Sequence, residues 1–192
     1  YLDILSRTDT GALDPDDQYA FFINAYNAFT IKLILTRYPD IKSIKNIGGI
    51  FSSPWSINFI ELDGKKISLD TIEHKILRPR FKDARVHFAV NCASKGCPHL
   101  RDEPYEGARV NEQLNDQTRH FLNTAGNVVI NGNTIYLSKL FKWFKEDFPK
   151  DPLDFVRSHA APQLQEQLGS APESLKVSYL EYDWSLNQLP RQ

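Results

Sequence analysis

Methionine is absent from all 192 residues, cysteine occurs only twice, and acidic and basic side chains nearly cancel. Each scarcity excludes something. With Tyr1 in place of a methionine, the chain is read as processed or trimmed, so the lack of a leader peptide says nothing about export. Two cysteines are too few for a disulfide scaffold. A formal net charge of −1, with both signs interspersed, provides no electrostatic footprint for nucleic acid or an acidic membrane surface. No apolar run approaches the ~20 residues of a membrane-spanning helix, and repeats, linkers and low-complexity tracts are missing.

What is present is globular. The hydrophobic share of 41% and the aromatic share of 12% suit a chain that buries its own core. At this length folding removes roughly 70% of the unfolded surface from water. One domain over residues 1–192 is therefore expected, with 1–14 as a short lead-in.

Asp14 before Pro15 predicts a helix start, and Tyr38-Pro39 its end near Arg37. Between them Tyr19, Phe22, Ile23, Tyr26, Thr30, Leu33 and Ile34 form one stripe, while Phe21, Ala25, Ala28, Ile31 and Leu35 fill much of the remainder. A helix apolar nearly all round is expected at the centre of a fold. Residues 40–56 read as a loop. Asp63-Gly64 predicts a hairpin turn between residues 57–62 and 65–67. Ser68 predicts a helix stopped by Pro79. Arg85 to Val90 reads as a buried strand with His87 on one face. Further on, a helix over 110–124, a hairpin turning at Asn131-Gly132, helices from Ser138, Asp151-Pro152 and Pro162, and a last strand over 175–182 are expected. Helices and hairpin strands alternate irregularly, which predicts an α+β fold.

Chemistry gathers between Glu73 and His99. The run Val86-His87-Phe88-Ala89-Val90-Asn91-Cys92-Ala93-Ser94-Lys95-Gly96-Cys97-Pro98-His99 passes from a buried element into a small-residue loop with two thiols and a lysine. Pro98 as the first residue of a short helix would make Cys97 its N-cap, where a thiol near Lys95 or a histidine gains thiolate character. The competing structural account is a local Cys92–Cys97 disulfide, worth about 2 kcal/mol in the chain-entropy model. Glu73 lies on the apolar stripe of its helix, where a carboxyl needs a partner, such as Arg78 or Arg85, or a raised pKa. His74 falls on a different part of that helix.

Thiol, imidazole and carboxylate together predict a thiol-dependent hydrolase or acyltransferase acting on peptide, amide or small thiol substrates. Cys92 or Cys97 is the expected nucleophile, His87 the base and then acid, Glu73 the orienter, and the N–H groups of Ala93 to Gly96 an oxyanion site. Asn24 and Asn27, one turn apart on the apolar helix, either line the site or tie down loop backbone. Asn91 and Lys95 are further candidates for substrate contact. A non-catalytic binding module with a disulfide-locked loop and a thiol–disulfide redox protein are the alternatives. Zinc on His74, His87, Cys92, Cys97 and His99 is disfavoured because the usual ligand spacings are missing, and no metal or cofactor is expected.

The segments Phe22-Ile23-Asn24-Ala25-Tyr26-Asn27-Ala28, Ile72-Glu73-His74, Val86 to Cys92 and Gly96-Cys97-Pro98 resemble the family of unknown function DUF547. So do Phe141-Lys142-Trp143-Phe144 with Asp147-Phe148, and Tyr182-Asp183-Trp184-Ser185-Leu186-Asn187. Bacterial members of that family commonly look exported, which implies the periplasm or cell exterior. The resemblance also implies a papain/transglutaminase-like layout, a buried central helix on a mainly antiparallel sheet. One departure stands out. Enzymes of that layout begin the central helix with the nucleophilic cysteine, and this helix offers Asn24 and Asn27 instead.

Overall fold

The computed structural model describes residues 1–49, 52–172 and 174–188; residues 50 and 51 of the expected loop lie outside it. The lead-in forms α1 (Leu2–Arg7), and its Leu5 is buried in the core. Helix α2 (Pro15–Leu35) starts as expected, with the Asp14 side chain accepting from the Asp17 N–H at 3.0 Å and Pro15 in the first turn. Ile23 and Ala25 are wholly buried, and Tyr26 and Phe29 nearly so, which makes α2 the axis of the first hydrophobic cluster.

The Asp63-Gly64 turn, at φ 48° and 70°, joins β1 (Ile60–Leu62) to β2 (Lys65–Ile67) in antiparallel register. Ile60 and Leu62 pack into the α2 cluster. A helical stretch over residues 69–81 follows, made of a π-helical turn (Thr71–Leu77) and then α3 (Arg78–Phe81). Pro79 does not stop it. Proline clashes with the carbonyl four residues back in an α-helix, and the wider π turn ahead of Arg78 relieves that clash.

The expected strand at residues 85–90 is instead one helical turn, α4 (Val86–Ala89). Asp83 starts the turn by accepting the Arg85 N–H at 2.9 Å, and the Val90 N–H closes it on the Val86 carbonyl at 3.1 Å. All four residues of α4 are buried, so the apolar–polar alternation that suggests a strand has no exposed face behind it.

Helix α5 (Val110–Asn123) leads to β3 (Val128–Asn131) and β4 (Thr134–Leu137), whose turn is Gly132-Asn133, one residue later than expected. Helices α6 (Leu140–Trp143), α7 (Pro152–His159) and α8 (Pro162–Gly169) precede β5 (Lys176–Tyr179), which pairs parallel with β4. The fold is mixed α and β, with one two-stranded antiparallel sheet and one three-stranded mixed sheet in the order β3-β4-β5. The three-stranded sheet belongs to a second cluster, built on Phe88, Phe121, Phe141, Phe148 and Phe155. No described helix is long and apolar enough to cross a membrane.

Candidate functional site

The two clusters meet at a cavity of about 220 Å³. Tyr26 of α2 and Val90 face it from the first cluster, and Leu140 of α6 from the second. Asp70, Glu73 and His74 form one wall, Cys92, Cys97 and Pro98 another, and His87 also lines it. Glu73 and His74 both reach the cavity although they are adjacent in sequence. A π turn rotates less per residue than an α turn, so neighbouring side chains stay on one side.

Cys92 and Cys97 are joined as a disulfide. Residues 97 and 98 are not helical, so Cys97 caps no helix. Its sulfur is surrounded by donors of another kind. The Cys92 N–H points at Cys97 Sγ from 3.0 Å, and the Tyr182 hydroxyl from 3.1 Å. Ser94 Oγ donates to the Tyr182 oxygen at 2.9 Å, which frees the phenol hydrogen for sulfur; Ser94 Oγ also lies 3.4 Å from Cys97 Sγ and 3.2 Å from Cys92 Sγ, and the Tyr182 oxygen is 3.4 Å from Cys92 Sγ, farther than from Cys97. Burial pushes the Tyr182 pKa up to about 12, with Ser94 acting in the other direction, so the phenol keeps its proton at neutral pH. Tyr182 packs flat over the loop, because a Cβ on Gly96 would stand 2.9 Å from its ring.

The expected oxyanion site is not open. Lys95 N–H donates to the Ser185 carbonyl and Gly96 N–H to the Asp183 carbonyl, both at 2.9 Å, and Ala93 N–H donates to Asn91 Oδ1 at 2.6 Å. The Lys95 and Gly96 groups dock the loop on residues 183–185, and the Ala93 group is held within the loop. Asn91 also donates to the Pro98 carbonyl at 2.6 Å. Asn27 bridges the Ala89 carbonyl (2.9 Å) and the Asn91 N–H (2.8 Å), and Asn24 holds both backbone polar groups of Tyr105 at 2.8 and 2.9 Å. These three amides tie down backbone, Lys95 is exposed, and none of the four lines the cavity.

His87 is buried, stacked on Phe144 at 3.9 Å between centroids, and its Nε2 lies 2.7 Å from Asp147 Oδ2. The carboxylate that orients it is thus Asp147, which the sequence offered only within a family resemblance. Nδ1 of His87 is buried without a partner. No hydrogen bond joins His87 to either sulfur among the described residues. Asp147 also accepts from Arg78 Nε at 2.5 Å, and Arg78 reaches Glu146 at 2.5 Å and His74 Nδ1 at 2.9 Å. Arg85 is engaged by Asp83 at 2.6 Å. Both expected ion-pair partners of Glu73 are therefore committed elsewhere.

The environments drive the two groups apart. Burial lowers the His87 pKa to about 4, against the hydrogen bond and charge of Asp147. Burial raises that of Glu73 above the ordinary carboxylate range, with His74, the Tyr26 hydroxyl and Arg78 pulling the other way. For Asp147, burial also acts upward, but the hydrogen bonds from Arg78 and His87 and their charges outweigh it and the pKa falls.

The remaining walls are aromatic, formed by Trp55, Trp143, Phe144, Tyr182 and Trp184. Tyr26, Trp143, Tyr182 and Trp184 entered the sequence reading only as helix-stripe or family-resemblance residues, and Trp55 carried no signal, since each is also an ordinary core or surface aromatic. Among the described residues no three His, Cys, Asp or Glu side chains gather into a metal-binding cluster, and His99 packs against His120 with tilted rings 4.2 Å apart.

A family model described as "Protein of unknown function, DUF547" matches residues 11–122, more than half of the chain and the stretch that holds Glu73, His87, Cys92 and Cys97. The resembling segments at 141–148 and 182–187 lie beyond the matched residues. No curated protein and no solved structure matches.

Proposed function

The chain belongs to the DUF547 family, and from its cavity we propose that it catalyses thiol–disulfide exchange on small thiol substrates, with Cys92–Cys97 as the reacting bond. The observation that carries this is the disulfide in the cavity wall, with the Cys92 N–H and the Tyr182 hydroxyl both directed at Cys97 Sγ. Donors on one sulfur stabilise the thiolate that departs when the other sulfur is attacked. A substrate thiol loses its proton, its sulfur bonds to Cys92 Sγ, the Cys92–Cys97 bond breaks, and the electron pair leaves on Cys97. A second substrate thiol then releases the first as its disulfide, leaving the protein as a dithiol, which a substrate disulfide reoxidises by the same two steps in reverse.

Glu73 is the fitting proton acceptor. A raised carboxyl pKa brings it closer to neutral pH, where a base works best, whereas a histidine near 4 is a weak base there. Exchange is then expected to accelerate as pH rises through the Glu73 pKa. An oxidising compartment, the periplasm or the cell exterior, is part of this proposal.

The test is trapping. Oxidised protein is mixed with cysteamine, quenched with alkylating agent and mapped by mass spectrometry. A mixed disulfide on Cys92 with alkylated Cys97 is expected; a bond that opens only in denaturant sinks the proposal.

The hydrolase or acyltransferase reading has one observation of its own: the Asp147–His87 pair, which leaves His87 Nδ1 without a partner on a side chain that lines the cavity. It requires a reduced Cys92 or Cys97 as nucleophile. Reduced protein incubated with an activated thioester separates the two readings, since acyl transfer to either thiol with turnover belongs to the hydrolase reading alone.

A further inference from the structure

All three tryptophans of the chain line the cavity that holds the disulfide. Their rings are contiguous. Trp184 lies 5.5 Å from Trp143 and 5.8 Å from Trp55, and Tyr182 sits 4.8 Å from Trp143 and 4.6 Å from Trp184. The wall is therefore a continuous group of aromatic rings. Trp184 already holds one cation, Lys45 Nζ, 3.6 Å from its centroid, and Lys45 does not line the cavity. Carboxyl groups come from the helical wall, Asp70 and Glu73, one turn apart. No lysine or arginine lines the cavity among the described residues.

A concave surface lined by indole rings and carboxyl groups, with no lysine or arginine among its described lining residues and with His74 Nε2 3.9 Å from Asp70 Oδ1, suits one ligand chemistry. A neutral aromatic ligand would stack on the indoles but would strip water from Asp70 and Glu73 and give nothing in return. An anion would meet both carboxyl groups directly. An ammonium group satisfies both features, since it is attracted by the ring quadrupoles and neutralises the carboxyl charge.

We propose that the cavity binds a small organic cation, a primary or methylated ammonium group, against Trp143 and Trp184 with Asp70 and Glu73 as counter-charge. Combined with the exchange reading, and resting on it for the sulfur alone, this makes the substrates small aminothiols and their disulfides. Binding of the cation favours ionised Glu73, so affinity rises with pH as that carboxyl loses its proton.

Tryptophan fluorescence tests this by titration of the oxidised protein with choline and with its neutral isostere, dimethylbutanol. Choline is expected to saturate the signal and to bind about tenfold tighter than the alcohol. Trp143→Ala is expected to weaken choline by about tenfold, and Asp70→Asn by about threefold. Trp143 is 40% exposed, so its truncation spares the core. Equal affinity for choline and the alcohol, or saturation by neither, overturns the inference without recourse to any variant. The same titration on the Cys92→Ser/Cys97→Ser protein separates the two proposals. Choline preference without exchange in the wild type overturns the exchange reading alone, and exchange without choline preference overturns the cation inference alone.

Discussion

Glu73 and Asp147 are both carboxyl groups beside a histidine, and both bear on one cavity, yet their surroundings treat them in opposite ways. Asp147 stands between the Arg78 guanidinium and His87 Nε2, at 2.5 and 2.7 Å, and its pKa is lowered. Glu73 is more deeply buried, has no guanidinium in contact, and its pKa is raised. One is a fixed anion that fastens the Phe-rich cluster to the helical wall. The other is pushed by burial toward its neutral form. Burial on one side and two donors on the other, rather than charge type, set these carboxyl groups apart.

The sharpest way to break this contrast is Asp147→Ala, which leaves Arg78 Nε and the buried His87 Nε2 without their shared acceptor, while Arg78 keeps Glu146. A loss of about 3 kcal/mol is expected in chemical denaturation. A comparable effect should appear on the acid side without any mutation. Because the folded pKa of His87 is about 4, below its ordinary value, its contribution is fully present above pH ~6.5 and is lost as pH falls toward 4. That acid limb amounts to about 3 kcal/mol, and His87→Phe should flatten it.

Removing the disulfide with Cys92→Ser/Cys97→Ser should cost about 2 kcal/mol, set by the short loop it closes. Glu73→Gln should act with the opposite sign. The folded pKa of Glu73 is raised, so the wild type loses stability as pH rises through it. The glutamine variant escapes that loss and should be the more stable of the two at alkaline pH, read from parallel melts. An acidic rather than alkaline gain would remove Glu73 from its role. Smallest of all, Tyr182→Phe deletes one donor to Cys97 Sγ and should slow reduction by cysteamine about fivefold, measured by timed alkylation.

The sequence made some of this legible and withheld the rest for physical reasons. Asp14-Pro15 and an apolar surface all round located α2, because capping and burial are local signals. Asp63-Gly64 located the first hairpin for the same reason. The segment Val86 to Val90 was misjudged as a strand, because a one-turn helix buried on every side leaves no period to read. Glu73, His87, Cys92 and Cys97 were singled out and do share one cavity. Their pairing was not legible. Asp147 reaches His87 from far along the chain, through packing of Phe144 and Phe148 against the imidazole. The tryptophan wall was likewise hidden, since its members come from segments that only the tertiary fold brings together.

The close approach of Gly96 to the Tyr182 ring carries a consequence for how this loop can vary. The phenol is held from behind by Trp143 and Trp184, so it cannot swing aside to admit a side chain at position 96. Any methyl group there would lift the hydroxyl off Cys97 Sγ and open the seam between loop and C-terminal segment. The vocabulary of that position is one letter long, and it is dictated by a ring brought in from residue 182.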